Sequence, residues 1–263
     1  MLGVDVSVYS GEIPVGKFDQ IRDAGYDVVV VGLWHGASVN PYANRQAHAA
    51  FEAGLHVAAY VFLATWSGKN GANQVYSGLE PLDPDVRDSL NFVAIDCEAD
   101  SDAEMINGAI GMVNVFKLRP VIYTAKWWWE GKGLDFSQFP LWDAYYDEDS
   151  DVDFPSHLYG GWTKVIGEQW QGTTDLFGIN VDLNWFDDEF IIGRREEVTR
   201  LFVQLPNKPE VYERTAAGLV HVTDPGTFTD LGGQWDKVLK LDAGNKIWKL
   251  PVYYPGGLPE AMK

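Results

Sequence analysis

Short runs of β-branched and apolar residues recur through the first 193 positions: GVDVSVY, DVVVVGLW, HVAAYVFLA, FVAIDCEA, PVIYTA, PLWDAYY, VIGEQWQGT and GINVDLNWF. Their length and residue preference are those of strands. Between the early ones lie the helix-like segments GKFDQIRDAG and NRQAHAAFEAG, each closing on a glycine, Gly25 and Gly54, suited to end a helix. Strands alternating with helices imply parallel pairing, so eight of them over residues 1–193 predict an α/β fold, an irregular (β/α)8-like barrel. The later crossovers are short, so some helices are expected to be missing. After Arg194 the chain turns to short alternating runs broken by Pro, Gly and Asp-Pro, which predicts a small C-terminal β-rich domain over residues 194–263.

Within a strand, residues two apart share a face, so Phe92, Ala94, Asp96 and Glu98 line one side of FVAIDCE while Val93, Ile95 and Cys97 line the other. Asp96 and Glu98 then sit about 6 to 7 Å apart along the backbone. The same parity groups Asp5 with Gly3 and Ser7, and Asp182 with Asn180 and Asn184, against apolar residues on the opposite faces. Barrel interiors are filled by apolar side chains, so inward polar positions belong at the mouth, where such barrels carry their sites. Clustered carboxylates repel one another, and one must hold its proton near neutral pH, as a general acid for glycosidic cleavage does.

Composition narrows the choice further. The chain has 263 residues, 46% of them hydrophobic, enough for a sizeable core without disulfides or metal. No apolar run approaches the roughly 18 residues of a membrane span, and MLGVDVSVYS lacks the pattern of a signal peptide. The single cysteine, Cys97, rules out a disulfide framework within the chain and a paired-thiol metal site. The net charge is −18, yet from Arg194 onward ten Lys/Arg face nine Asp/Glu, which leaves −19 for residues 1–193. No cationic cluster is available for phosphates, so nucleic acid is not an expected partner. His35, His48, His56, His157 and His221 show no metal spacing, the acidic run Asp147–Asp153 lacks the glycine and distal glutamate of a calcium loop, and no nucleophile motif occurs. No metal or cofactor is expected. Hydrolysis by carboxylates remains.

GVDVS at the start, AFEAGLHVAAYVF at 50–62, FVAIDCE, VIYT, LWDAYY and GINVDLNWF occur in the order of glycoside hydrolase family 25, and over about residues 3–187 the sequence resembles those N-acetylmuramidases, the lysozymes common among bacteriophage endolysins. The resemblance implies a peptidoglycan hydrolase that cleaves the β-1,4 bond between N-acetylmuramic acid and N-acetylglucosamine with retention. Glu98 would be the acid/base, Asp96 its catalytic partner, and Asp5 and Asp182 supporting acids. Asp96 would either attack the anomeric carbon or orient the substrate's acetamido group to do so, and the resemblance favours the latter. Tyr60, Tyr123 and Trp142 fall where the family lines its groove with aromatics; Trp170, expected there too, stands where tyrosine is commoner. Val61 replaces a frequent histidine, and GLWHG a loop that more usually carries Lys and Glu. Family 18 chitinases, the nearest competing template, want an aspartate at the position of Ala94. The three tryptophans Trp127 to Trp129 are candidates either for the cleft or for the core.

Bacterial peptidoglycan is the expected partner, with no role for membrane. The tail, with Tyr212, Trp235, Trp248, Tyr253 and Tyr254, is expected to bind wall polymer or to mediate homo-oligomerisation, or else to pack on the barrel and serve folding alone. An enzyme of this kind would be made in the host cytoplasm without a signal peptide and act on the wall after release. The rival expectation is a catalytically silent glycan-binding or structural protein of a phage particle.

Overall fold

The computed structural model describes residues 1–150 and 158–193 and, further along the chain, five short strands. Two compact units result, Met1–Arg195 and Glu196–Lys263. In the first, eight strands close into a barrel in sequence order: β1 (Leu2–Val6), β2 (Tyr26–His35), β3 (His56–Phe62), β4 (Val93–Asp96), β5 (Pro120–Thr124), β6 (Leu141–Ala144), β7 (Gly167–Leu176) and β8 (Ile179–Phe186). All eight runs foreseen from their residue pattern form strands.

The pairing is mixed rather than wholly parallel. Strands β1 to β7 pair parallel in succession, but β8 runs antiparallel to both β7 and β1. Only Phe177 and Gly178 separate β7 from β8, too few residues for a parallel crossover, so the chain turns back as a hairpin. Gly178 takes a φ of 79° there. Reversal decides which end of β8 reaches the mouth: its first half, with Asn180 and Asp182, lies level with the C-terminal ends of the other strands.

Helices cover the early strands and thin out later, as the short crossovers imply. α1 (Val15–Asp23) and α2 (Ala43–Glu52) run on to Gly25 and Gly54, whose φ values of 95° and 81° reverse the chain into β2 and β3. α3 (Gly71–Leu79) and α5 (Ala103–Val115) are capped by the Asn70 and Asp102 side chains, and α4 (Pro84–Ser89) begins on a proline. After β5 only one turn, α6 (Lys126–Trp129), remains, and α7 (Asp188–Ile192) follows β8.

Strand parity sorts the core into two layers. Val4, Val6, Val29, Val31, Val57, Val93, Ile95 and Cys97 face the helices, whereas Val28, Val30, Ala58, Phe92, Ala94, Val121, Trp142 and Phe186 fill the barrel. Phe92, Trp142 and Phe186 pack ring against ring with centroids 5.5 to 6.5 Å apart. A Cβ on Gly3 or Gly167 would lie 2.7 or 2.5 Å from the Phe186 ring, so these glycines make room for the plug. With the lower barrel filled by aromatics, the barrel's cavity opens at the mouth.

The second unit contains a five-stranded sheet: β9 (Leu201–Gln204), β10 (Val211–Thr215) and β11 (Gly218–His221) are antiparallel neighbours, and β12 (Leu239–Lys240) and β13 (Val252–Tyr253) pair parallel at the edges. The tail aromatics named above as binding candidates have side chains outside the described residues, as do Asp151 to Asp153 and His157.

Candidate active site

Four acids converge at the barrel mouth. Asp5 lies near the end of β1 directly opposite Asp182 of β8, and Asp96 is the last residue of β4. Glu98 lies two residues further on, beyond the regular strand, and is more exposed than Asp96. They bound a cavity with two lobes that share Asp5, Tyr60, Asp96 and Asp182 in their walls. The wide lobe, about 370 Å³, also touches Ser7, Tyr9, Ser10, His35, Phe62, Thr173 and Asn180. The narrow lobe, about 140 Å³, is lined by Glu98, Tyr123, Trp142, Tyr146 and Gln169.

Beneath the acids, hydrogen bonds fix the floor. Asp5 Oδ2 accepts from Gln169 Nε2 at 2.7 Å and from Asn184 Nδ2 at 2.8 Å. The Gln169 amide is oriented in turn by the Tyr123 and Tyr146 hydroxyls, which donate to its Oε1 at 2.8 and 2.6 Å, and Asn184 Oδ1 accepts from Trp142 Nε1 at 3.0 Å. Asp182 Oδ1 accepts from the Thr173 backbone N–H. Asp96 is held differently: the Glu98 backbone N–H donates to it, while its Oδ1 is buried without a hydrogen-bond partner. An unpaired carboxylate oxygen in so dry a place is costly unless a ligand completes it.

Crowding and burial raise the proton affinity of all four. Asp5 is pushed up to about 8, first by burial and then by the Asp182 charge, against the opposing pull of Asn184 and Gln169. Burial, followed by the Glu98 and Asp5 charges, lifts Asp96 well above the ordinary carboxylate range. Glu98 is raised by burial and then by Asp182; Asp182 is raised by burial, offset by the Thr173 N–H. The site therefore keeps protons on part of its acid set near neutral pH and can both donate a proton and stabilise a cation.

The aromatic expectations fare unevenly. Tyr60 and Tyr123 line the cavity. Trp142 reaches its floor but is only 1% exposed and offers no stacking face. Trp170 lies outside: as the neighbour of inward-facing Gln169 it points the opposite way and packs against the helix-side core. Trp128 and Trp129 are buried in that same layer, and Trp127 is exposed without lining either lobe.

Several site residues escaped the sequence pattern. Gln169 obeys the inward parity of its strand and was legible on that ground, whereas Tyr9 lies in a single 3-10 turn, His35 follows a register slip in β2 and Thr173 sits in one in β7, so the period of two is broken before each. His48, Asp83 and Asp85, unremarkable by spacing, come together with ligand atoms within 4.8 Å. They are partly or fully exposed, Asp83 Oδ2 already accepts from Asn44 and meets His48 Nε2, and none lines the cavity.

Known proteins match over the same unit. The profile of Glycosyl hydrolases family 25 fits residues 4–179. Probable GH family 25 lysozyme 3 of Dictyostelium discoideum is 28% identical over 196 residues, 70% of this chain but 40% of that protein's length. Probable GH family 25 lysozyme 2 of the same organism is 29% identical over 197 residues, 70% of this chain and 90% of its own. Among solved structures, a muramidase from Trichobolus zukalii superposes with a TM-score of 0.57 at 21% identity, covering 71% of this chain and 93% of that one, and so shares its fold.

Proposed function

Because this chain belongs to glycosyl hydrolases family 25, we propose that it is a lysozyme that cleaves the β-1,4 bond between N-acetylmuramic acid and N-acetylglucosamine in peptidoglycan, with retention of configuration. The observation that carries the reading is the division of labour between Asp96 and Glu98. Asp96 is buried at the junction of the two lobes with Oδ1 unpaired, while Glu98 stands at the rim of the narrow lobe with its proton affinity raised. With glycan across the acids, protonated Glu98 donates to the bridging oxygen as the glycosidic bond breaks.

Asp96, the last residue of β4, is buried with Oδ1 unpaired, which suits it to accept an acetamido N–H rather than to attack directly. Its Oδ1 accepts that N–H, the acetamido carbonyl oxygen closes on the anomeric carbon, and the bridging oxygen leaves with the Glu98 proton. Water then attacks the anomeric carbon from the face the bridging oxygen left, giving its proton to Glu98 and opening the ring, so two inversions amount to retention. Asp182, facing Asp5 across β1 and β8, supports the charge that develops at the sugar, while Asp5 ties the floor together through Gln169 and Asn184.

A narrower role as a phage or prophage lytic enzyme follows if the second unit delivers the barrel to the wall. Residues 1–193 carry a charge of −19 and would gain nothing from attraction to anionic wall polymers, whereas residues 194–263 are near neutral and suit wall binding or oligomerisation. Replacement of Glu98 by Gln tests the core of the proposal. Release of reducing ends from purified walls should fall by about 10²- to 10⁴-fold with the unfolding temperature unchanged. The wild-type products should carry reducing N-acetylmuramic acid ends of retained configuration; reducing N-acetylglucosamine ends, or wild-type rates in Glu98→Gln, would overturn it.

A further inference from the structure

Thr173 adopts a φ of 50° within the stretch of β7 where its register against β8 slips, between Gln171 and Thr174. For a β-branched residue the left-handed region is a genuine outlier, and such outliers collect where function requires them. Nothing structural at this point calls for threonine. The backbone N–H that donates to Asp182 Oδ1 would be supplied equally by glycine. The side chain is exposed, so no packing offsets the strain. Gly172, one residue earlier, would take a positive φ at no steric cost, yet it is Thr173 that takes it. What glycine lacks is the side chain itself, and Thr173 lines the wide lobe together with Asn180, Ser10 and His35.

We propose that Thr173 is a specificity-determining substrate contact, its Oγ1 hydrogen-bonding a pyranose hydroxyl of glycan in the wide lobe while its N–H aims Asp182 at the same sugar. The inference rests on the lysozyme reading above. The bulge serves both ends: the slip in register sets Thr173 in the wall of the wide lobe and its N–H on the acid. The strain persists because binding requires the hydroxyl at that point of the backbone.

The test compares Thr173→Gly and Thr173→Ser in a Glu98→Gln background, titrated calorimetrically with oligosaccharides of alternating N-acetylglucosamine and N-acetylmuramic acid. Glycine keeps the N–H, relieves the strain and loses the hydroxyl; serine keeps the hydroxyl and is not β-branched. Affinity should drop about five- to tenfold in Thr173→Gly, the worth of one hydrogen bond, and stay within about twofold in Thr173→Ser. The unfolding temperature of Thr173→Gly should equal or exceed that of its parent. Parental affinity in Thr173→Gly, equal losses in both variants, or a lowered unfolding temperature in Thr173→Gly would each overturn the inference alone. Oligosaccharides that neither bind the parent nor are cleaved by wild type would overturn the lysozyme reading and the inference with it.

Discussion

Glu98 and Asp182 are coupled through space, and the coupling has a readable consequence. Glu98 must be protonated to act as an acid, so turnover falls as pH rises through its pKa. Asp182 is the charge that, after burial, raises that pKa, because a carboxylate nearby disfavours a second one. Replacing Asp182 by Asn removes the charge and lets the Glu98 pKa fall. The alkaline limb of the kcat profile should therefore move to lower pH in Asp182→Asn, measured on solubilised glycan across the acid-to-neutral range. A limb that stays put would show that burial alone sets the acidity of Glu98. Asp5 illustrates a different balance: two amide donors favour its ionised form, yet burial prevails and holds it at about 8. Such a group favours the folded state at acid pH, and that contribution is lost as pH rises from about 4 towards 8.

At the scale of elements, the cavity is shaped by where strands carry no side chain. Gly32 of β2 lies opposite Tyr60 of β3, and a Cβ there would meet the tyrosine ring and hydroxyl at 2.6 Å. The absent side chain lets Tyr60 lie across the strand and form a wall common to both lobes. Gly32→Ala should displace that ring, lowering stability by about 1–3 kcal/mol, as overpacking does, and reducing kcat/KM. Thermal unfolding and initial rates on solubilised glycan check the two effects; an alanine variant with native values would mean that the ring relaxes without disturbing the wall. The loop at residues 7 to 11 is positioned with similar economy. Gln46 of α2 is fully buried and donates to the carbonyls of Ser7 and Gly11, so a helix on the outer layer sets the backbone carrying Tyr9 and Ser10 to the wide lobe.

For the molecule as a whole, the acids, their hydrogen-bond partners and both lobes lie within the first compact unit. A fragment ending at Arg195 should fold and cleave solubilised glycan at close to the full-length rate, while losing activity on intact cells if the remaining residues deliver it to the wall. Circular dichroism, unfolding temperature and the ratio of activities on soluble and cellular substrate provide the measurement. An insoluble or unfolded fragment would assign the second unit to folding of the first; equal activity on cells would leave delivery to the barrel itself.

Much of this was legible along the chain, for a physical reason: a period of two is a local property of extended backbone. Runs of β-branched and apolar residues marked the eight strands, alternation placed Asp5, Asp96 and Asp182 on inward faces, and the glycines closing α1 and α2 announced both turns. Other features required the closed barrel. The hairpin at Phe177–Gly178 turns β8 around and brings Asp182 level with Asp5, and that depends on which strand lies next to which. Trp170 and Gln169 differ in role although adjacent, because the side of β7 that faces inward is set by its pairing with β6 and β8. Burial, which lifts Asp5 to about 8 and leaves Asp96 Oδ1 without a partner, belongs to the packed assembly, since it arises from residues far apart in sequence. The pattern of residues specifies which way each side chain points along its own strand; only closure of the barrel brings those directions together around one cavity.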